Sequence, residues 1–106
     1  MEIECKMNKE LNEKHADNPQ VGDYWCERHS IPCFLVIDAS KFWVSFLSKT
    51  KREFGDTFWD TSKIETCTRK EFKKRVSYNY IPGTWCDVTP NWKYAAEYIE
   101  EALATL

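Results

Sequence analysis

Three residues in the first third of the chain have the types and spacing of a small ligand set. Cys26, His29 and Cys33 form the pattern C-x2-H-x3-C, and Cys67 or Cys86 offers a fourth ligand. Thiolate and imidazole groups hold zinc in a tetrahedral arrangement, but structural sites usually combine two tight ligand pairs. On a strand, Cys26 and His29 would point to opposite faces because their spacing is odd. We therefore predict no metal and no cofactor.

The same cluster is the best candidate for nucleophilic catalysis, because a histidine base can activate a cysteine. His29 lies three residues from Cys26, and Asp23 or Glu27 would have to orient it, whereas His15 lies in the N-terminal tail. The sequence contains no nucleophile elbow, zinc-protease motif or phosphate loop. Without a set of nucleophile, base and orienting group, we do not expect an enzyme.

The cysteine content also bears on the compartment. Five cysteines are an odd number, and the first residues lack the basic start and apolar stretch of a secretory leader. A core of this size does not need disulfides to fold. We therefore interpret the cysteines as reduced thiols and expect a cytoplasmic protein with no membrane association.

Charge is distributed unevenly along a chain whose formal net charge is −2. Residues 1–40 carry a net charge of −4, residues 41–75 carry +5, and residues 76–106 carry −3. A basic segment between acidic ones indicates a surface for a charged partner. The basic candidates for partner binding are Arg69, Lys70, Lys73, Lys74 and Arg75.

Aromatic residues supply the second half of this candidate surface. The chain has five tryptophans, five tyrosines and six phenylalanines, too many large rings for so small a core to bury completely. Tryptophan, tyrosine and arginine commonly anchor protein interfaces, and Trp59, Tyr78 and Tyr80 are the aromatic candidates. We predict a protein-binding module. The alternative is a small nucleic-acid or nucleotide-binding domain that uses the basic segment 41–75 and stacks bases on aromatic rings.

These side chains must be positioned by a small α+β fold. Residues 1–20 are predicted to form an N-terminal helix or tail, and residues 21–106 a single compact domain. Strand-like segments begin at Asp23, Phe34, Phe42, Thr57 and Trp85. Thr68 and Glu71 fit a capping box before a short helix, and Thr89-Pro90 is typical of the start of a C-terminal amphipathic helix.

Short turns between successive strands favour an antiparallel arrangement. We predict an antiparallel curled sheet or small SH3-like barrel of about five strands, with the short helix and the C-terminal helix added. The hairpin segments and the helical stripe have no other apolar surface to cover. We therefore expect one shared core of the following residues: Phe34, Val36, Phe42, Val44, Phe72, Ile99 and Leu103.

Two short segments carry a resemblance to known proteins. Val21-Gly22-Asp23-Tyr24-Trp25 and Ile81-Pro82-Gly83-Thr84-Trp85, with the lysine- and tryptophan-rich body between them, resemble small accessory proteins of tailed phages. The resemblance covers most of residues 21–90. It implies a single small domain that binds and occludes a host or defence protein, in the cytoplasm of the host cell. It assigns no functional residue, because no site motif matches.

Overall fold

The computed structural model describes residues 2–26, 33–51, 57–77 and 87–105. The elements in chain order are α1 (Glu2–Asp17), β1 (Tyr24–Cys26), β2 (Cys33–Ala39), β3 (Trp43–Lys51), β4 (Thr57–Thr68), α2 (Arg69–Ser77), β5 (Asp87–Thr89) and α3 (Ala95–Ala104). The α+β class is therefore confirmed. None of the described helices is long and apolar enough to cross a lipid bilayer.

The five strands form one antiparallel sheet in the order β4-β3-β2-β1-β5. The hairpin of β2 and β3 places Leu35 opposite Leu47, and β5 lies on the other side of β1, with Val88 opposite Trp25. Strands β4 and β5 are at opposite edges, so the described strands form an open sheet. Of the two predicted architectures, the open antiparallel sheet is the one found.

Strand β2 lies at the centre of the sheet and is covered on both faces. Its first five residues, Cys33–Ile37, are all buried. This burial is what the uninterrupted apolar run Phe34–Ile37 predicts, because a strand with one solvated face alternates polar and apolar residues. Helices must therefore cover the sheet from both sides.

Helices α1 and α2 cover the first face. Phe72 and Val76 of α2 and Ala16 of α1 are buried against Trp25 and Phe46 of the sheet. The predicted cap of α2 is present, since the amide of Glu71 donates to the Thr68 hydroxyl over 3.1 Å. Lys73, Lys74 and Arg75 lie on the exposed side of α2.

Polar contacts attach the second half of α1 to the sheet. Asn12 accepts a hydrogen bond from the Val88 amide at 3.1 Å. His15 Nδ1 donates to the fully buried carboxylate of Asp23 over 2.8 Å, and the Gln20 amide donates to the same oxygen over 3.0 Å. Of the two forms predicted for the N-terminus, the chain adopts the helix, and its C-terminal half is docked.

Helix α3 covers the second face, but it begins later than the sequence predicts. Thr89-Pro90 is followed by Asn91 at φ 48°, in the left-handed region, which interrupts any helix there. The Trp92 amide donates to the Gly22 carbonyl over 2.9 Å. These contacts fix residues 90–94 as a turn against the β1 region, and the helix starts at Ala95.

The side of α3 that faces the sheet carries small residues. Ala95 and Ala102 face the sheet, with Tyr98 and Ile99 half-buried beside them. Leu103 is 50% exposed, so its predicted place in the core is wrong.

The predicted single core is also wrong in two other members. Phe34, Val36, Val44 and Phe72 are buried together on the first face. Ile99 packs on the opposite face, and Phe42 is 67% exposed. The physical reason is that alternate residues of the central strands point to opposite faces, so one list of apolar residues divides into two clusters.

Two phenylalanines provide a matched test of this burial. Phe72→Ala removes a fully buried ring and should lower the free energy of unfolding by about 3–5 kcal/mol. Phe42→Ala removes an exposed ring and should change it by less than about 0.5 kcal/mol. Urea denaturation of both variants measures the difference. Equal losses would contradict the exposed position of Phe42.

A second pair of variants tests the docking of α1. His15→Ala deprives the buried Asp23 carboxylate of a charge-assisted hydrogen bond and should lower the free energy of unfolding by about 1–3 kcal/mol. Lys14→Ala, at the exposed neighbouring position, is the control and should change it by less than about 0.5 kcal/mol. Urea denaturation followed by circular dichroism checks both values. A His15 variant as stable as the control would show that the contact does not hold the helix.

Candidate protein-binding surface

Two neighbouring aromatic residues project into solvent at the turn between β2 and β3. Phe42 is 67% exposed and Trp43 is 53% exposed. The Ser40 amide donates to the Trp43 carbonyl over 2.9 Å, and the Trp43 amide donates to the Ser40 hydroxyl over 3.1 Å. These bonds close a tight turn and hold both rings on the outside of the sheet. We call Phe42 and Trp43 the aromatic tip.

Arg69 joins the aromatic tip to the start of α2. Its backbone amide donates to the Phe42 carbonyl over 3.0 Å, and its Nε donates to the Ser40 carbonyl over 2.6 Å. A further bond runs from Arg69 Nη1 to Asn18 Oδ1 over 3.0 Å. The guanidinium of this predicted partner-binding residue is therefore engaged within the chain, and it positions the turn.

The other predicted basic residues divide into paired and unpaired groups. Lys73 forms an ion pair with Asp17, and Arg75 Nη1 lies 2.8 Å from Glu65 Oε2. The hydrogen bond to Glu65 raises the pKa of Arg75 further. Such exposed pairs add little stability, but they halve the charge that these lysine and arginine residues present to a partner.

Three lysines, one in the turn and two on α2, keep their charge available. Lys41 Nζ lies 5.6 Å from the centre of the Phe42 ring. Lys70 follows Arg69, and Lys74 lies one helical turn beyond it, both exposed. None of these three lysines has an ion-pair partner among the side chains that the structure describes. We call Lys41, Lys70 and Lys74 the basic rim.

Trp59, the first aromatic candidate from the sequence, is buried. Its ring is 7% exposed and lies edge-on to Tyr24, with ring centres 5.6 Å apart. Trp92 and Tyr98 approach it at 6.0 and 6.2 Å. We call Tyr24, Trp59, Trp92 and Tyr98 the aromatic cluster. It attaches α3 and the preceding turn to the sheet and leaves Trp59 little surface to offer.

The remaining aromatic candidates, Tyr78 and Tyr80, lie outside the described residues. From the sequence, Phe42 is placed in the core because this residue opens an apolar run, and Trp59 rather than Trp43 is named as the candidate for partner binding. The available signal was their position, since Phe42 and Trp43 stand side by side at the end of a polar turn, just where β3 begins.

Two of the described cysteines face each other at the paired ends of β1 and β2. Cys26 and Cys33 stand directly opposite each other on β1 and β2, and their Sγ atoms are 2.9 Å apart. Burial, followed by the hydrogen bond with Cys26, raises the pKa of Cys33 to about 11. Burial and hydrogen bonds with both thiols raise the pKa of Tyr24.

The metal and catalytic alternatives gain no geometric support from this arrangement. Within the part of the chain that the structure describes, no group of three His, Cys, Asp or Glu residues could hold a metal ion. His29 lies outside that part. Asp23, considered above as a partner of His29, instead binds His15, where it fixes α1 to the sheet.

Fluorescence quenching tests which tryptophan is exposed in a positive field. Anions concentrate near uncompensated positive charge, so iodide should quench Trp43 beside the basic rim more strongly than caesium does. Trp43→Phe should remove most of this difference. Trp59→Phe is the control and should leave it intact. If Trp59→Phe, rather than Trp43→Phe, removes the difference between iodide and caesium quenching, the exposed tryptophan is not Trp43.

Comparison with known proteins does not identify a function for this surface. No family model, curated protein or solved structure matches the chain. The inferred function therefore depends on the aromatic tip, the basic rim and the contacts that hold them.

Proposed function

We propose that this chain is a non-enzymatic protein-binding module whose contact surface is centred on the aromatic tip. The observation that carries the proposal is the exposure of Phe42 and Trp43 on a turn fixed by hydrogen bonds. Adjacent exposed apolar side chains rimmed by polar groups mark interaction surfaces. A rigid turn lowers the entropy cost of binding, because the rings are already held in place.

The charge around the tip defines the partner's chemistry. Lys41 lies next to Phe42, Lys70 and Lys74 add exposed positive charge along α2, and Glu71 is the acidic residue in the first turn of that helix. A complementary partner therefore offers an apolar pocket for Trp43 inside an acidic protein surface. Opposite charges at the rim would speed association, while the buried ring would supply most of the affinity.

The biological role that we propose is inhibition by occlusion. The resemblance of residues 21–90 to small accessory proteins of phages supports a chain that binds a host or defence protein and blocks its surface. A single aromatic tip with charged residues suits this role, since steric occlusion requires tight binding but no catalytic group. The proposed compartment is the cytoplasm of the host cell.

Nucleic-acid binding remains the alternative, with weaker support. Lys73 and Arg75 are neutralised by Asp17 and Glu65, which lowers the charge available for phosphates. Trp59 is buried and cannot stack on a base. Strong binding to a polyanion requires several uncompensated contacts, and the basic rim offers three.

The test begins with isolation of a partner. Tagged protein is used to capture a binder from bacterial lysate, and the purified partner is then titrated by calorimetry. Trp43→Ala should weaken binding by about 30-fold, because a central tryptophan commonly contributes about 2 kcal/mol or more. Tyr94→Ala is the matched control, since Tyr94 is 49% exposed beside α3, and it should leave affinity unchanged.

The same titrations separate the two functions. For a protein partner, Lys70→Glu should slow association and make it less dependent on salt, with a smaller loss of affinity than Trp43→Ala. Melting curves exclude unfolding of either variant. Binding of single-stranded DNA or RNA by the pure protein at physiological salt would contradict the proposal, provided that Lys70→Glu weakens it and Trp43→Ala does not.

A further inference from the structure

The contact between Cys26 and Cys33 is the feature that the proposed function does not use. The two residues form a directly opposed pair on antiparallel strands, next to the six residues that connect β1 to β2. Their Sγ atoms, 2.9 Å apart, are too distant for a disulfide and too close for unrelated side chains. We call Cys26 and Cys33 the thiol pair.

The backbone beneath the thiol pair already has the spacing of a disulfide. Directly opposed residues of an antiparallel ladder have Cα atoms about 4.5–5.5 Å apart, inside the roughly 4.4–6.8 Å range found for disulfides. The sulfur atoms therefore need to approach by less than an ångström, through side-chain rotation. Strand pairing would not have to change.

The two thiols differ in access. Cys33 is buried, whereas Cys26 is half-buried at the end of β1. Tyr24 lies on the same face of β1, two residues before Cys26, and packs in the same cluster as both cysteines. This arrangement gives the pair an outer thiol that a small reagent can reach, and an inner thiol held against it.

We propose that the thiol pair is a redox modification site that reacts with low-molecular-weight disulfides and closes to an intramolecular Cys26–Cys33 disulfide. The site is distinct from the aromatic tip, and its chemistry does not depend on the proposed protein partner.

The reaction follows two exchanges. The Cys26 thiolate attacks one sulfur of the small disulfide, a Cys26–S–S–R bond forms, and the first RS⁻ leaves and takes the proton that Cys26 lost. Cys33 then attacks Cys26 Sγ as its thiolate, the bond from Cys26 to R breaks, and the second RS⁻ takes the proton of Cys33. The two cysteines are oxidised by two electrons in total, and the small disulfide is reduced to two thiols.

The closed form would fix the pairing of β1 with β2 covalently. Tyr24 connects the thiol pair to the tryptophans of the aromatic cluster, since its ring centre is 4.8 Å from that of Trp92 and 5.6 Å from that of Trp59. Oxidation should therefore alter the emission of these tryptophans, which provides a readout on the folded chain.

The experiment treats the reduced full-length chain with oxidised glutathione. Titrated thiols should fall from five to three, the intact mass should fall by two hydrogen atoms, and peptide mapping should join Cys26 to Cys33. Dithiothreitol should reverse all three changes. A chain that stays reduced, accumulates only mixed disulfides, or joins another pair of cysteines overturns the proposal.

Single variants test the order of the steps. Cys33→Ser leaves the outer thiol without its partner and should accumulate a stable glutathione adduct on Cys26. Cys26→Ser should react at least tenfold more slowly at Cys33. Cys67→Ser is the matched control, because Cys67 is buried in the cluster on the other face, and it should form the Cys26–Cys33 disulfide at the unmodified rate.

Alternative variants guard against loss of the fold. Cys26→Ala and Cys33→Ala replace any serine variant whose circular dichroism shows unfolding, and the same products are expected from them. A glutathione adduct on Cys33 in preference to Cys26 in the folded chain would contradict the assigned order. Equal rates for Cys26→Ser and Cys67→Ser would overturn the role of the pair.

Discussion

Burial of strand β2 on both faces is the constraint on which the rest of this structure depends. Five consecutive apolar residues cannot be covered by a helix on one side alone, because their side chains alternate between the two faces of the sheet. The chain therefore places α1 and α2 on one face and α3 on the other. Each face has its own cluster, one with Phe34 and Val36, the other with Leu35 and Ile37.

This arrangement also explains why an aromatic tip exists. The two clusters bury Val44, Phe46 and Leu47 of β3, whereas residues 40–42 of the preceding turn are exposed. Phe42 and Trp43 lie at this turn, and the hydrogen bonds from Arg69 to the Phe42 and Ser40 carbonyls fix its position. Of the lysines of the basic rim, Lys41 belongs to the turn, and Lys70 and Lys74 belong to α2, whose first residue the same bonds hold beside the turn.

Polar groups fix the positions that apolar packing leaves open. Asp23 is fully buried and receives bonds from His15 and the Gln20 amide, so α1 can dock in one orientation. On the second face, the hydrogen bond that the Trp92 amide donates to the Gly22 carbonyl fixes the turn before α3. A buried carboxylate or carbonyl without a partner is costly, which makes these contacts selective for one arrangement. On this face, Tyr24 also connects the thiol pair to the other rings of the aromatic cluster.

Local patterns in the sequence were sufficient for part of this description. The apolar run Phe34–Ile37 determined a central strand, Thr68 and Glu71 determined the start of α2, and the placement of Phe72 and Val76 determined its buried side. These features depend on residues within one or two turns of each other, so composition and spacing reveal them. The α+β class follows from the same local signals.

Only the tertiary structure decided which apolar residues are covered and which charges are paired. Trp59 and Trp43 are the same residue type on neighbouring strands, yet one is buried by α3 and the other projects beyond it. Arg69, Lys73 and Arg75 are engaged by Ser40, Asp17 and Glu65, residues at least ten positions away in the chain. The opposition of Cys26 and Cys33 depends on the register of β1 with β2. Burial, ion pairing and register arise from contacts between distant segments, and no local pattern in the sequence encodes them.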